Sequence, residues 1–149
     1  MTFEQTRDID LIRRIVSHPR QFPTLAKYLG DDIYQRFADE KICLVARDQD
    51  EPFGLCILCP VNKLSAEIHV CLLPQAWGAK GVIAAIECID WIWANTPFRR
   101  LIGLIAADNP LAIRWAAKVG MTQTGMREKS LIKEGIPRDV VVMEVEKTL

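Results

Sequence analysis

Apolar positions recur along the chain in two rhythms, one helical and one alternating, and the switches between them mark the elements. Between Asp8 and Val16 the residues Ile9, Ile12 and Val16 fall on one side, with Arg13 and Arg14 elsewhere, which predicts a short amphipathic helix. Pro19 and Pro23 end it and lead into a second, irregular helical region that closes near Phe37, with Asp31 and Asp32 as caps of its last piece. Lys41 to Ala46 reads as a strand, Asp48 to Glu51 as a turn, and Phe53 to Cys59 as a strand apolar on both faces and therefore central. The two form an antiparallel hairpin. Ala66 to Leu73 is a third strand, ended by Pro74, which cannot donate to a ladder.

The rhythm then turns helical. Gly78 to Gly81 is a turn, and Val82 to about Asn95 is a helix with a core stripe of Ile83, Ala85, Ile86, Ile89 and Trp93, while Glu87 and Asp90 face outward. Leu101 to Ile105 is a short strand. Asp108-Asn109-Pro110 opens a further helix, with the proline in its first turn, and Gly120 ends it. Gln123 to Leu131 and Val140 to Val145 flank Lys133-Glu134-Gly135 as a final hairpin. This order predicts a mixed α/β fold, with one sheet and helices packed on it.

Composition narrows the picture. The chain has 149 residues, with no repeat, low-complexity tract or linker, so residues 1–149 read as a single domain. Half the residues are hydrophobic and the 19 basic residues balance 19 acidic ones, which excludes general disorder and disfavours a nucleic-acid partner. The polar start, Met1 to Asp10, is no secretory or transit signal, and the apolar stretch Gly81 to Ala94 carries Glu87 and Asp90 and is too short to span a bilayer. Cys43, Cys56, Cys59, Cys71 and Cys88 lie among apolar neighbours in an odd number, which predicts reduced thiols in a cytoplasmic protein.

Two segments carry candidate chemistry. In Glu67 to Gly81, EIHVCLLPQAWGAKG, a strand runs through a glycine turn into a helix. Such a turn offers unpaired N–H groups and the positive end of a helix dipole, a natural seat for a phosphate, which Lys80 strengthens. The second segment is Asn109 to Met121, NPLAIRWAAKVGM.

Together these segments resemble the GNAT acetyltransferase superfamily. There a strand leads to a pyrophosphate loop of form Gln/Arg-x-x-Gly-x-Gly/Ala, followed by a helix, a strand and a helix that opens with Asn and closes with Gly. Asn109, Ala112, Lys118, Gly120 and Met121 match that register, and the resemblance spans roughly Ser65 to Val145. Leu73 to Gly78 is most similar to the ribosomal-protein and other N-terminal acetyltransferases, and similar also to tailed-phage proteins of this fold, some of them head-assembly proteins. The resemblance implies a GNAT acyl-CoA N-acyltransferase fold, a central, mostly antiparallel sheet flanked by helices. It implies acetyl-CoA as cosubstrate, lying in a V-shaped gap between the strands Ala66–Leu73 and Leu101–Ile105. Backbone groups of Leu72 and Leu73 would hold the pantetheine. The amides of Gly78, Ala79, Lys80, Gly81 and Val82 would hold the pyrophosphate, and Asn109 would contact the pantetheine or cap its helix.

The loop departs from the pattern. In one alignment Gly78 stands at the Gln/Arg place, Gly81 at the central glycine and Ile83 at the last position; in another Trp77 comes first and Lys80 takes the central glycine. The family's frequent tyrosine acid, seven residues after the asparagine, is Ala116 here. Transfer to an amine still needs a proton acceptor. Glu67, His69 and Cys71 share one strand face. The resemblance puts Glu67 where several members carry a catalytic glutamate, and an imidazole changes charge in the physiological range, as a base should. Glu67 or His69 is the expected base, against a reading of a solvated carboxylate and a core histidine. Cys71 as a covalent nucleophile is the lesser alternative.

Other features read as structure. Cys56 and Cys59 form a CxxC within an apolar strand, where residues three apart point to opposite faces, so no metal site is expected. Trp91, Trp93 and Trp115 read as core or interface surface, while Trp77, before the glycine turn, is a candidate cover for the cofactor or acceptor. Arg99, Arg100, Arg127 and Lys129 read as surface charge. The expected function is N-acetyl transfer from acetyl-CoA to a small-molecule or peptide amine. The alternative is a binding or phage-assembly module on the same fold with weak or lost catalysis. A homodimer or a protein partner stays open, and no membrane partner is expected.

Overall fold

The computed structural model describes residues 1–18 and 33–148. The expectations for Pro19, Pro23, Asp31 and Asp32 lie outside the described residues. In chain order the elements are β1 (Thr2–Gln5), α1 (Ile9–Val16), α2 (Ile33–Glu40), β2 (Ile42–Asp48), β3 (Glu51–Pro60), β4 (Ser65–Leu72), a 3₁₀ turn (Pro74–Ala76), α3 (Ala79–Asn95), β5 (Arg100–Ala106), α4 (Pro110–Val119), β6 (Thr122–Lys133) and β7 (Ile136–Glu146).

The strands form one sheet in the order β1-β2-β3-β4-β5-β7-β6. All neighbours are antiparallel except β4 and β5. That parallel contact is short: it pairs Ser65 with Arg100, Ala66 with Leu101 and Glu67 with Ile102, and goes no further. Beyond it β4 continues along β3 as far as Leu72, and β5 continues along β7 as far as Ala106. The sheet is thus two halves joined at one end and open at the other.

Helices cover both faces, which is why β3 is apolar throughout. Leu55 and Ile57 pack with Ile12, Ile15 and Val16 of α1 and Tyr34 and Ala38 of α2. Cys56 and Leu58 pack on the other side with Ala85, Cys88, Ile89 and Ile92 of α3 and Val119 of α4. Local chemistry sets the ends of elements. Asp8 accepts from the Leu11 N–H at 3.2 Å and starts α1. Gln49 and Asp50 both take positive φ in the β2–β3 turn, the mirror-image turn whose twist suits a hairpin. Gly120, at φ 111°, donates its N–H to Ala116 and Ala117 carbonyls and closes α4.

Several expectations change. Strand β1 was not anticipated; it adds to the sheet edge through β2, and its Phe3 packs against the core. Helix α2 runs past Phe37 to Glu40. Helix α3 begins at Ala79, not Val82, and Ile83 and Ile86, expected in its core stripe, are exposed. Its buried face is Gly81, Ala84, Ala85, Cys88, Ile89 and Ile92. Close approach to the sheet selects small residues there: a Cβ at position 81 would meet the Ala76 carbonyl oxygen at 2.6 Å and Leu72 Cδ1 at 2.7 Å. The bulkier isoleucines are turned outward by that approach. Trp93 is only partly buried, beside Trp91 and Trp115 at the same cluster.

Candidate active site

The parting of β4 and β5 opens a cavity of about 330 Å³, within the usual range for ligand sites. Ile68, His69, Val70 and Leu72 line it from β4, Gly103 to Ala106 from β5, and Asn109, Ala112, Trp115 and Ala116 from α4 and its cap. Its walls are largely apolar. Gly103 leaves room that a side chain would take up, since an added Cβ would meet Met121 Cε at 3.3 Å.

Glu67 sits at the fork, in the last paired position of β4 before the strands separate. His69 follows on the same face, half-exposed, with Nε2 at 3.6 Å from the Glu67 Oε2. That face is the α1/α2 side of the sheet, shown by Cys71, which is buried among α1 and α2 residues. The structure therefore brings the two expected bases together, and places His69 on the cavity wall. Cys59 faces Glu67 across the β3–β4 ladder, and its Sγ, a Glu67 carboxylate oxygen and a His69 ring nitrogen lie within 4.8 Å of one another. Sequence spacing does not show that contact, because it depends on the cross-strand register. Cys71 is 2% exposed, and burial, aided by Cys43, pushes its thiol up to about 12. Such a thiol is not a nucleophile at neutral pH, which removes the lesser alternative.

The glycine turn leaves fewer amides open than the sequence suggests. Gly78, at φ 85°, caps α3. The N–H groups of Gly81 and Val82 already donate to the Gly78 carbonyl at 3.1 and 3.3 Å. Those of Gly78, Ala79 and Lys80 have no acceptor among the described residues and remain as donors at the positive end of the helix. The Lys80 ammonium turns aside, bonded to Asp48 Oδ2 at 2.9 Å and 4.9 Å from the centre of the Phe53 ring. The Asp48 carboxyl is held below its ordinary value by that hydrogen bond and by the lysine charge.

Leu72 and Leu73 separate. Leu72 lines the cavity, whereas the Leu73 N–H donates to the Phe53 carbonyl at 2.8 Å, toward β3. Trp77 is half-exposed, and its indole N–H donates to the Leu72 carbonyl at 2.9 Å, pinning the glycine turn to the end of β4. Asn109 does cap α4, its Oδ1 accepting from the Ala112 N–H at 3.2 Å, and it also lines the cavity. Ala116 is buried on the wall where a tyrosine would put a hydroxyl.

A second cleft of about 530 Å³ lies at the start of α3, lined by Gly78, Ala79, Val82 and Ile83 and, from α4, Leu111, Arg114, Trp115 and Lys118. Arg114 and Lys118 as a cationic pair were missed from sequence. Their signal is an i, i+4 basic spacing on the helix that faces the glycine turn.

The fold has counterparts among solved structures. A chimera of the Vibrio cholerae spermidine N-acetyltransferase SpeG with hSSAT is 19% identical, with a TM-score of 0.76 over 98% of this chain and 96% of that one. The Vibrio cholerae spermidine N-acetyltransferase in complex with CoA and spermine is 17% identical, with a TM-score of 0.73 over 97% of this chain and 94% of that one. No sequence among the curated proteins matches the chain. The profile of the acetyltransferase (GNAT) domain family matches residues 3–122, most of the chain. With the sheet opened between β4 and β5 and helix amides at the mouth of the gap, the chain belongs to the GNAT acetyltransferases, which take their acetyl group from acetyl-CoA.

Proposed function

We propose that this chain transfers the acetyl group of acetyl-CoA to an amine presented from the α1/α2 side of the sheet, with His69 accepting the amine proton and Glu67 beside it. The observation that carries this is the placement of His69 on the wall of the β4–β5 gap with a carboxylate 3.6 Å away. A carboxylate beside a ring nitrogen can orient the imidazole toward the amine. The donor's acylated arm would lie in the gap between Leu72 and Asn109, and its pyrophosphate at the amides of Gly78, Ala79 and Lys80. Arg114 and Lys118 would face its remaining phosphate charge. Trp77 would hold the turn rather than contact the thioester.

In this scheme the amine nitrogen attacks the thioester carbonyl directly. The C–N bond forms, the C–S bond breaks, and His69 takes the amine proton. Ala116 has no proton to give, so the CoA thiolate is protonated by solvent. The structural similarity to spermidine N-acetyltransferases supports a primary-amine acceptor and makes a polyamine the first to try. Five free thiols and no disulfide fit a cytoplasmic setting. No described helix is long and apolar enough to cross a membrane.

The test is acetylation of spermidine and of a peptide α-amine, read by mass spectrometry alongside thiol release. One acetyl group per thiol released is expected. His69→Gln should lower kcat by roughly 10²–10⁴-fold, the usual contribution of a general base. Glu67→Gln should lower it by less, with the KM for acetyl-CoA unchanged. Full turnover in both variants at every pH would remove the proposed roles. A chain that binds acetyl-CoA yet acetylates no amine would favour the binding-module alternative.

A further inference from the structure

We propose that Cys59, Glu67 and His69 form a binding site for a divalent transition metal, zinc by preference, through the cysteine Sγ, a glutamate oxygen and the histidine Nε2. The three ligand atoms lie within 4.8 Å of one another. Tetrahedral zinc with ordinary bond lengths has ligand–ligand edges of roughly 3.4–3.6 Å. The His69 Nε2 to Glu67 Oε2 separation is already 3.6 Å. Small rotations of two side chains on rigid, adjacent strands would close the third corner.

The register explains why these groups converge. Cys59 stands directly opposite Glu67 in the β3–β4 ladder, and His69 is two residues along the same face. Cys56, the other half of the CxxC, lies on the opposite face with α3 and takes no part. The donor set is one thiolate, one imidazole and one carboxylate, a combination that favours zinc over magnesium or calcium. Three protein ligands would leave a fourth position open to water.

A metal here would occupy both groups assigned to the amine proton. Zinc is thus an inhibitor of acetyl transfer, a consequence that rests on the proposed roles of His69 and Glu67. The affinity itself does not.

The test uses the full chain, stripped with chelator and titrated with zinc against a chromophoric competitor, and with cobalt(II) for its spectrum. One equivalent should bind, with a cobalt–thiolate charge-transfer band. Cys59→Ser should abolish the band and weaken zinc by about 100-fold or more, beyond the 10–100-fold that loss of an outer-sphere partner costs. Unchanged melting would show that the variant is folded, and His69→Gln provides a second, half-exposed position to weaken binding. Equal zinc affinity in wild type and Cys59→Ser, or no thiolate band, overturns the site and leaves the proton-acceptor roles standing. Zinc inhibition relieved by Cys59→Ser, with metal-free turnover retained, supports both. Stoichiometric binding with turnover unaffected confirms the site and overturns the roles given to His69 and Glu67.

Discussion

At the residue scale, the position of single side chains decides what each can contribute. Lys80 was a natural phosphate ligand by its place in the glycine turn, but its ammonium is held by Asp48 and the Phe53 ring. The pair has a testable pH signature. Asp48 is depressed below its ordinary value of 3.8, so its contribution to stability is complete above that pH and is lost as pH falls through the lower, folded-state value. In an NMR titration Asp48 should therefore protonate below 3.8 in the wild type and return to about 3.8 in Lys80→Met. An Asp48 that titrates normally in the wild type would show that Lys80 is free to reach a phosphate. Glu67, His69 and Asn109 were legible as candidates because alternation and helix-capping chemistry are local. Cys59 was not, because its partnership with Glu67 depends on which residue of β3 faces which of β4.

At the element scale, the start of α3 carries most of the consequences. The pattern of apolar residues pointed to Ile83 and Ile86 as core, yet the helix buries Gly81, Ala84 and Ala85 instead. Periodicity identifies an apolar stripe by size and hydrophobicity, and a helix pressed close to a sheet selects against size. Gly81 is the tightest point. Gly81→Ala would drive a methyl group against the Leu72 side chain and into the Ala76 carbonyl, a backbone atom that cannot yield freely. We expect a loss of roughly 1–3 kcal/mol in chemical denaturation, as for other overpacked sites. Acetyl-CoA affinity should fall with it, since the displaced helix carries the open amides. A variant of wild-type stability would mean that the close approach is not needed. On the facing helix, Arg114→Gln with Lys118→Gln should weaken acetyl-CoA by about tenfold, equivalent to 1.4 kcal/mol, by calorimetry. The weakening should shrink at high salt, as a screened charge contact must. No change would place the phosphates elsewhere.

At the scale of the whole molecule, function follows from a sheet that is joined at one end and split at the other. Three residue pairs hold β4 to β5, and the remaining length of each strand belongs to a different half-sheet. Beyond β1, the order of the described helices and strands was readable from the chain, because those elements are announced by their own periods and stops. The split was not readable as such; it came from resemblance, since nothing local in Ile68 to Leu72 or Gly103 to Ala106 announces that two parallel strands will part. Strand β1 was missed for a related reason. Its four residues, mostly exposed, have no period of their own and become a strand only by pairing with β2.

The central claim is that this gap and the helix amides at its mouth receive acetyl-CoA, and thermal unfolding with and without acetyl-CoA tests it most directly. A ligand at a hundred times its dissociation constant adds about 2.7 kcal/mol to stability. With an unfolding entropy of about 2.1 cal/mol/K per residue, that raises the melting temperature of this chain by roughly 9 °C. The account predicts such a rise, reduced for an analogue lacking the pyrophosphate. No shift at millimolar acetyl-CoA would contradict it.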